Sequence, residues 1–241
     1  MAKARIEYLY GLNPAFEVLR AGRRAVKTAF LDRATKGRPR LKKLAALLER
    51  RAVFFEWVEK GRLTDLAKSR EHQGVVLRAD NYPYVPFASL LEGEKLLLLD
   101  NIEDPHNVGA ILRSAEVFGF HSVLLPNKGV PEVYPSVVKV SAGATEFLRI
   151  ARETSSNRYA IEAKEHGFQV VALEAKGKTA INDLKSKSLE KLLLVVGGED
   201  KAVGQFILNL ADYVVRIEQK GKVNSLNASV AAAIAMCAFA E

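Results

Sequence analysis

The alternation of apolar and polar segments is most regular around residues 96–125. Four leucines open this stretch, a run of the kind that forms a strand buried on both faces. A polar turn follows, and apolar residues then repeat at helical spacing over 108–118, where Asn107 is placed to cap the helix. Residues 121–125 predict the next strand. The pattern predicts a β-turn-α-β unit with its polar residues at the carboxyl end of the first strand, where open α/β sheets bind ligands.

The same alternation divides the chain into two parts. Residues 1–80 predict a compact α/β domain, and residues 81–94 contain the segment NYPYVPF, whose prolines favour a linker. From residue 95 to 241, strands and helices alternate in a way that predicts a mostly parallel sheet with helices on both faces. We expect the last helix to run over 225–240, capped by Ser225.

Composition narrows the class of protein. The chain has 241 residues, 49% of them hydrophobic, so it can bury a core. No apolar run approaches the roughly 20 residues of a membrane span, and the first residues show no secretory signal. A single cysteine, Cys237, and four histidines disfavour a disulfide framework or a zinc site. We therefore expect a cytoplasmic protein that binds neither metal nor membrane.

Charge is distributed unevenly along the chain. Residues 1–80 carry 19 lysines and arginines against 9 acidic residues, whereas residues 81–241 carry 17 against 19. Such asymmetry favours a polyanionic partner, and nucleic acid is favoured over membrane because no basic amphipathic helix with exposed aromatic residues is evident. A solvated basic face is the alternative. The candidate nucleic-acid-binding residues lie in two basic stretches: Arg20, Arg23, Arg24, Arg38 and Arg40.

Polar residues gather at three points in the second part: around Asn107, around Glu199 after a buried strand, and around Ser225. If all three converge on one pocket, they form a ligand site. Gly197 and Gly198 would let the backbone approach a ligand closely, although a glycine pair in a tight turn is the commoner explanation. GxGxxG and GxxxxGK[ST] motifs are absent, so the pattern does not indicate an ordinary dinucleotide fold or a P-loop.

Arg113 has two interpretations that spacing alone leaves open. It follows the apolar pair Ile111 and Leu112 on the second turn of the predicted helix. It is either a solvated surface arginine or a residue that points back toward the polar turn.

The three polar clusters resemble the three motifs of the TrmH-type family within the SPOUT superfamily of RNA methyltransferases. DPHNVGAILRSAEVFG (104–119) is similar to the first motif, VVGGED (195–200) to the second and VNSLNASVAAAI (223–234) to the third. The second motif departs from the family, which usually has glycines where this chain has Asp200 and Ala202. The front part, with YGLNPAFEVL and HQGVV, resembles the family's ribosomal-protein-like RNA-binding domain.

This resemblance implies an enzyme that transfers a methyl group from S-adenosyl-L-methionine to a ribose 2′-hydroxyl of structured RNA. Ribosomal RNA is favoured over transfer RNA by the basic front domain, by analogy alone. The family's carboxyl-terminal domain folds into a deep trefoil knot, an exception to the rule that chains avoid knots. Its members are homodimers joined through that domain, with both subunits contributing to the substrate site.

The resemblance also assigns roles to residues. The catalytic set is Arg113, Asn107, Glu199, Ser225 and Asn227. Because a guanidinium is an implausible base, we expect Arg113 to clamp a phosphate and stabilise charge, held by the asparagines and Ser225, while Glu199 orients it or takes the proton. The residues expected to hold the cofactor are Gly197, Gly198, Ile217 and Leu226. Two alternatives stay open, namely a catalytically inactive RNA-binding protein of the same fold and a base methyltransferase.

Overall fold

The computed structural model of the chain describes residues 6–185, 189–199, 201–222 and 225–240. They form two compact units. The first contains the chain up to Pro83 together with Val133–Phe147, and the second contains Tyr84–Glu132 and the chain from Leu148 onward. The first unit includes the segment 133–147, which no local sequence pattern assigns to it.

The first unit is a small α/β fold. Its described strands form a sheet in the order β1-β4-β2-β3, in which β4 is antiparallel to both neighbours and β3 is parallel to β2. The elements are β1 (Ile6–Tyr10), α1 (Leu12–Ala21), β2 (Val26–Asp32), α2 (Pro39–Arg50), β3 (Phe55–Val58), α3 (Lys60–Ala67) and β4 (Val75–Asp80). This is the alternation that the sequence predicts for residues 1–80.

The segment 133–147 is held in the first unit by a buried ion pair. It contains the short helix α5 (Pro135–Val140) and a 3-10 turn (Ala144–Phe147). Arg24 contacts both oxygens of Glu146, at 2.8 and 3.2 Å, and both side chains are fully buried. Arg24 also pairs with Glu7 of β1 at 2.8 Å. Because charges are buried in proteins only when they are paired, this contact accounts for the position of the segment.

The predicted linker, residues 81–94, is not a free tether. Tyr82 is buried in the first unit, where its hydroxyl donates to the Thr145 carbonyl at 3.0 Å. The Val85 amide donates to the Ile150 carbonyl at 2.9 Å in the second unit, and the 3-10 turn Phe87–Leu90 buries Phe87 in that unit's core. The two prolines therefore stand in a segment that is packed along most of its length.

The second unit contains a seven-stranded sheet among its described residues, in the order β7-β6-β5-β10-β8-β11-β9. All paired neighbours are parallel, so the predicted mostly parallel sheet is confirmed. Its elements are β5 (Lys95–Asp100), α4 (Pro105–Val117), β6 (Ser122–Leu124), β7 (Arg149–Ala151), α6 (Ser156–Glu165), β8 (Gln169–Leu173), β9 (Thr179–Ala180), α7 (Ile181–Lys185), β10 (Leu192–Gly197), α8 (Gln205–Leu210), β11 (Tyr213–Arg216) and α9 (Ala228–Ala238).

Helices cover both faces of this sheet. Leu96 and Leu98 of β5 belong to one core cluster with α6 and α8, whereas the alternating Leu97 and Leu99 point to the opposite face and are equally buried. Helices α4 and α9 pack against each other, and α9 contacts β10. Burial on both faces explains why β5 and β10 read as continuous apolar runs.

Two helices begin elsewhere than the sequence pattern predicts. Asp104, not Asn107, caps α4, because its carboxylate accepts the His106 amide at 2.9 Å. The last helix is capped by Asn227 in place of Ser225, through a 3.0 Å bond from the Ser229 amide, and its described part ends at Ala238. Since several Asx and Ser residues stand in series at each start, spacing cannot decide which of them is the cap.

Membrane spans and metal clusters are both missing from the described residues. No helix there is long and apolar enough to cross a membrane. Nor do His, Cys, Asp and Glu side chains in that part of the chain come together in a group that could hold a metal ion.

Candidate active site

Several of the predicted site residues of the second unit gather at the carboxyl ends of adjacent parallel strands. Strands β5 and β10 are neighbours, and Asp100 is in register with Gly197. The loop after β10 carries Gly198 and Glu199. The starts of α4 and α9 face this loop through Asn107 and Asn227. Ligand sites of open parallel sheets lie at this edge, as the sequence pattern predicts.

Glu199 is the centre of a hydrogen-bonded group that we name the Glu199 cluster, formed by Glu199, Asn107, Asn227 and the Ala228 amide. The Glu199 Oε1 atom accepts from Asn227 Nδ2 at 2.6 Å, from Asn107 Nδ2 at 3.1 Å and from the Ala228 amide at 3.3 Å. Asn227 Nδ2 also donates to Asn107 Oδ1 at 2.9 Å, across 120 positions of sequence. The cluster therefore joins all three sequence motifs.

The second carboxylate oxygen of Glu199 has a different environment. It forms no hydrogen bond with the residues that the structure describes, and the residue is exposed. Three donors on one oxygen hold the carboxylate in one orientation, which leaves the other oxygen available to a ligand. The geometry is that of an oriented proton acceptor.

Asn227 is fully engaged within the protein. Its Oδ1 atom accepts from the amide and hydroxyl of Ser229, at 3.0 and 2.6 Å, while its Nδ2 atom serves Glu199 and Asn107. Asn227 thus caps α9 and orients Glu199 at the same time. The structure gives it a positioning role in the cluster.

The two glycines after β10 are required by the protein's own backbone. A Cβ atom on Gly197 would lie 2.3 Å from the Val203 nitrogen, and one on Gly198 would lie 2.2 Å from the Asn101 carbonyl oxygen. Such distances exclude a side chain at either position without a shift of the main chain. The glycine pair therefore permits close packing of loops, and both glycines also line the cleft described next.

A cleft of about 810 Å³, counting the part open to solvent, lies beside the Glu199 cluster. All four predicted cofactor-binding residues line it, and so do Glu199 and Ser225. The rest of its wall combines apolar side chains with two polar ones. The lining residues include Leu173, Glu174, Val196, Gly197, Gly198, Ala202, Ile217, Gln219, Leu226 and Ala231.

A second cavity, polar in character, shares Gly198 and Glu199 with this cleft. It is also lined by Asn101, Asn107 and Asn227, together with Glu103, Asp104 and Lys201. Lys201 donates to Glu103 at 2.8 Å, and this hydrogen bond lowers the pKa of the Glu103 carboxyl. The Glu199 carboxylate thus stands at the boundary between a mixed apolar cleft and a polar cavity.

Arg113 and Ser225 lie apart from the cluster. Arg113 is exposed on α4, lines neither cavity, and forms no hydrogen bond or ion pair with any described residue. Ser225 lines the cleft and is exposed, without a hydrogen bond to the described part of the chain. The expectation that Asn107, Ser225 and Asn227 hold Arg113 is therefore wrong within one chain, because the asparagines are used by Glu199.

The predicted RNA-binding arginines of the first unit have different environments. Arg38 and Arg40 are exposed, and Arg40 donates to Asn13 Oδ1 at 2.6 Å. Arg20 is exposed and pairs with Glu17. Arg23 is half-buried and bonds the Glu146 and Pro83 carbonyls.

Arg24 requires a correction. Its side chain is fully buried between Glu7 and Glu146, so it cannot contact a phosphate. A run of basic residues gives no sign of which member turns inward, because that depends on a carboxylate 122 positions away.

Asp100 is a site residue that sequence reasoning missed. It is 3% exposed, and its carboxylate accepts from the Ser156 hydroxyl at 2.6 Å and from the Gly204 amide at 2.8 Å. Its carbonyl accepts from the Gly198 amide at 3.1 Å. These bonds fix the loop that carries Glu199. A carboxylate at the carboxyl end of a buried strand could have indicated Asp100 as a site residue from the sequence. The same signal applies to Glu174, which directly follows β8.

Three residues of the predicted motifs lie outside the described part of the chain. They are Asp200 of the second motif, and Val223 and Asn224 at the start of the third. Ala202, the other departure from the family in the second motif, is described and lines the cleft.

Comparison with protein families gives two matches that together cover most of the chain. The profile of the SpoU rRNA Methylase family matches residues 94–237. A profile for RNA 2′-O ribose methyltransferase substrate binding matches residues 8–85.

Individual relatives extend over nearly the whole chain. The chain is 30% identical over 237 residues to a TrmH family protein of Bacillus subtilis named for tRNA/rRNA methylation, covering 95% of this chain and 93% of the relative. It is 34% identical over 242 residues to an uncharacterized tRNA/rRNA methyltransferase of Mycolicibacterium gilvum, covering 98% and 76%.

Solved structures show the same fold. The AdoMet-bound rRNA methyltransferase from Sinorhizobium meliloti superposes with a TM-score of 0.79 at 24% identity, over 97% of this chain and 86% of that chain. The SpoU methyltransferase AviRb from Streptomyces viridochromogenes, in complex with AdoMet, gives a TM-score of 0.79 at 24% identity, over 97% and 88%.

Proposed function

This chain belongs to the SpoU rRNA methylase family, and from that membership we propose that it transfers a methyl group from S-adenosyl-L-methionine to a ribose 2′-hydroxyl of structured RNA. As a member of the family it is an RNA methyltransferase. Ribosomal RNA is our favoured substrate, with transfer RNA as the alternative, since its relatives are named for both. An RNA substrate of this kind supports a cytoplasmic location.

One observation carries the proposal. The three segments similar to the family's motifs meet in the Glu199 cluster, and that cluster separates a cleft lined by Gly197, Ile217 and Leu226 from a polar cavity. Two adjoining sites, one for a donor and one for an acceptor, are what a group transfer requires. A protein that only bound RNA would not need the cleft.

The cleft residues fit S-adenosyl-L-methionine. Apolar side chains of Leu173, Val196 and Ala231 suit its purine, and the backbone of Gly197 and Gly198 supplies polar groups without side chains in the way. The carboxylates of Glu174 and Glu199 complement its hydroxyl donors and its positive charges. When bound, the cofactor supplies an electrophilic methyl group on a sulfonium.

The chain's own residues then prepare the acceptor. The polar cavity, with its amide side chains, suits a ribose and its neighbouring phosphate, and Lys201 adds a positive charge. Asn107 and Asn227 hold Glu199 Oε1, so that its free oxygen can accept the proton of the 2′-hydroxyl. Asp100 acts through the loop as a positioning residue, since it binds the Gly198 and Gly204 amides.

Arg113 enters this scheme through a second subunit. Exposed apolar side chains lie on the neighbouring helices α4 and α9: Val117 on α4, four residues after Arg113, and Val230 and Ile234 on α9. Exposed apolar side chains on two helices that pack together favour an interface. We infer a homodimer joined through this surface, in which Arg113 of one subunit serves the polar cavity of the other by binding a phosphate and stabilising charge.

The proposal includes two features of the family's architecture. The placement of β10 between β5 and β8, with α9 returning to contact β10 and α4, is compatible with the trefoil knot that the family resemblance implies. The first unit, whose residues 8–85 match the substrate-binding profile, is proposed to bind the RNA.

A catalytically inactive RNA-binding protein remains the second candidate. Its support is the departure of the second motif at Asp200 and Ala202, of which Ala202 lines the cleft. A protein of that kind need not bind the cofactor.

The test is methyl transfer from labelled S-adenosyl-L-methionine to ribosomal RNA and to transfer RNA from cells lacking this gene. Nuclease digestion of the product should release a 2′-O-methylated nucleotide. A methylated base would contradict the ribose assignment. Absence of both transfer and cofactor binding by titration calorimetry would favour the inactive binder.

A further inference from the structure

A groove lies on the surface of the first unit between α1 and α2. Four cationic side chains line it, contributed by both helices and by the residue that follows α2, with three hydrophobic residues beside them. The cationic residues are Arg20, Lys43, Arg50 and Arg51, and the hydrophobic ones are Phe16, Ala46 and Leu47. Of these four cations, only Arg20 belongs to the RNA-binding set predicted from the sequence.

The charge of this groove is largely uncompensated. Lys43 and Arg50 form no hydrogen bond or ion pair with any residue that the structure describes. Arg20 pairs with Glu17 at 2.8 Å, and Arg51 donates to the Arg20 carbonyl at 3.4 Å. Among the described residues, one carboxylate, that of Glu17, therefore pairs with the four positive charges that line the groove.

Phe16 organises the edge of the groove. The guanidinium of Arg20 lies 5.7 Å from the centre of its ring and that of Arg40 lies 5.9 Å from it. Cation–π contacts at these distances limit the freedom of both side chains. Arg40 thus extends the cationic surface beyond the groove, on the side of Asn13.

We propose that the groove between α1 and α2 binds the sugar-phosphate backbone of the substrate RNA. This inference rests on the proposed function and identifies where the first unit contacts the substrate. Flexible lysine and arginine side chains around a groove, without amides that could read base edges, favour phosphate contacts over sequence recognition. The groove therefore supplies affinity and orientation, while the choice of nucleotide is made in the second unit.

Helix ends offer a simpler account of some of these charges. Arg20 and Arg50 stand in the last turns of α1 and α2, where cations interact favourably with the helix dipole. Lys43, however, lies in the second turn of α2, away from its C-terminus. The helix dipole explains cations at the helix ends but not a groove lined by four of them. Phosphate binding predicts that RNA affinity depends on these charges, whereas stabilisation of the helix dipole does not.

The experiment compares two double variants of the full chain. Lys43→Gln with Arg50→Gln removes two groove charges, and Lys42→Gln with Arg62→Gln removes two exposed charges of the same types outside the groove. Glutamine preserves helix propensity at these positions. Binding of a fluorescein-labelled RNA hairpin of arbitrary sequence is measured by anisotropy at several KCl concentrations, and the melting temperature is recorded for each variant.

The groove variant should bind more weakly, and its log–log salt slope should be smaller by about 2, one for each phosphate that is no longer neutralised. The control variant should keep the wild-type slope. A third variant, Lys43→Arg with Arg50→Lys, keeps both positive charges and should bind the RNA hairpin as the wild type does. An unchanged slope in the groove variant, with or without a lower melting temperature, would overturn the inference and leave the helix-dipole account or a protein partner.

A methylation assay separates this inference from the proposed function. If both hold, the groove variant raises KM for RNA, leaves kcat at saturating RNA near wild type and leaves S-adenosyl-L-methionine affinity unchanged. If wild-type protein binds the hairpin through the groove but transfers no methyl group, the proposed activity fails and the groove stands.

Discussion

Glu199 accepts three hydrogen bonds on one carboxylate oxygen, and the residue lines both cavities. Glu199→Gln can keep the three bonds to its amide oxygen while removing the proton acceptor. We expect turnover to fall by about 10²- to 10⁴-fold, the range for general base catalysis, with cofactor affinity and melting temperature near wild type. Single-turnover methyl transfer is the measurement.

Glu199→Ala serves as the comparison for that substitution. It should lose turnover as well and should also lower the melting temperature, because the amides of Asn107 and Asn227 are deprived of their acceptor. Wild-type turnover in Glu199→Gln would reduce Glu199 to a positioning residue.

Arg113 is expected to act on the transition state and not on cofactor binding. Arg113→Ala should cut methyl transfer by roughly 10²-fold or more, because a preorganised charge is removed from the transition state, while S-adenosyl-L-methionine affinity stays nearly intact. Leu226→Arg should instead weaken S-adenosyl-L-methionine binding, since Leu226 lines the cleft and the longer side chain fills it. Calorimetry and turnover are measured on both variants. Full activity of Arg113→Ala would show that Arg113 is a solvated surface residue without a part in catalysis.

A pair of helices carries the prediction about assembly. Val230 is 47% exposed and Ile234 39% exposed on α9, next to α4. The full chain with Val230→Lys and Ile234→Lys should be a monomer in multi-angle light scattering, whereas the wild type should be a dimer. Phe206→Lys is the control, because Phe206 is equally exposed, at 47%, on α8. A dimer that survives the double exchange would place the interface elsewhere.

The segment 133–147 gives a prediction about alkaline stability, through Tyr82, which bonds it. Burial raises the pKa of the Tyr82 phenol well above its ordinary value of about 10. A raised pKa contributes stability below pH 10 that declines as pH rises, because the unfolded chain releases the proton first. The free energy of unfolding should fall by up to about 1.4 kcal/mol per pH unit for this group.

Tyr82→Phe removes that contribution. The variant should be less stable at pH 8, because the hydrogen bond to the Thr145 carbonyl is absent, and its stability should decline less steeply above pH 10 than that of the wild type. Chemical denaturation at a series of pH values compares the two slopes. Parallel slopes would show that the phenol titrates normally.

At the scale of the whole molecule, the excess of positive charge lies in residues 1–80. Arg38→Ala with Arg40→Ala should weaken RNA binding and lower the log–log salt slope by about 1 for each phosphate that an arginine had neutralised. Lys60→Ala with Arg62→Ala, both exposed at the start of α3, should leave the slope unchanged. The measurement is filter binding over a range of salt concentrations. If the Arg38→Ala, Arg40→Ala variant had the wild-type slope, the two arginines would be solvated surface residues without phosphate contacts.

The sequence by itself determined the alternating architecture and the place of the site. Residues 96–99 and 192–196 are apolar without interruption because both faces of their strands are covered, and that signal is local. Parallel strands align their carboxyl ends, so Asn107, Glu199 and the start of the last helix could be expected to converge. The cleft residues Gly197, Gly198, Ile217 and Leu226 followed from motif register with the family.

The tertiary structure decided how those residues are used. Whether Arg24 faces RNA or the core depends on Glu146, and whether Asn107 caps a helix or holds Glu199 depends on a loop ninety-two positions away. Local spacing carries no information about such partners. Hydrogen-bond direction and burial are set by contacts between distant segments, so Asp100, the inserted segment 133–147 and the cationic groove between α1 and α2 emerged only from the folded chain.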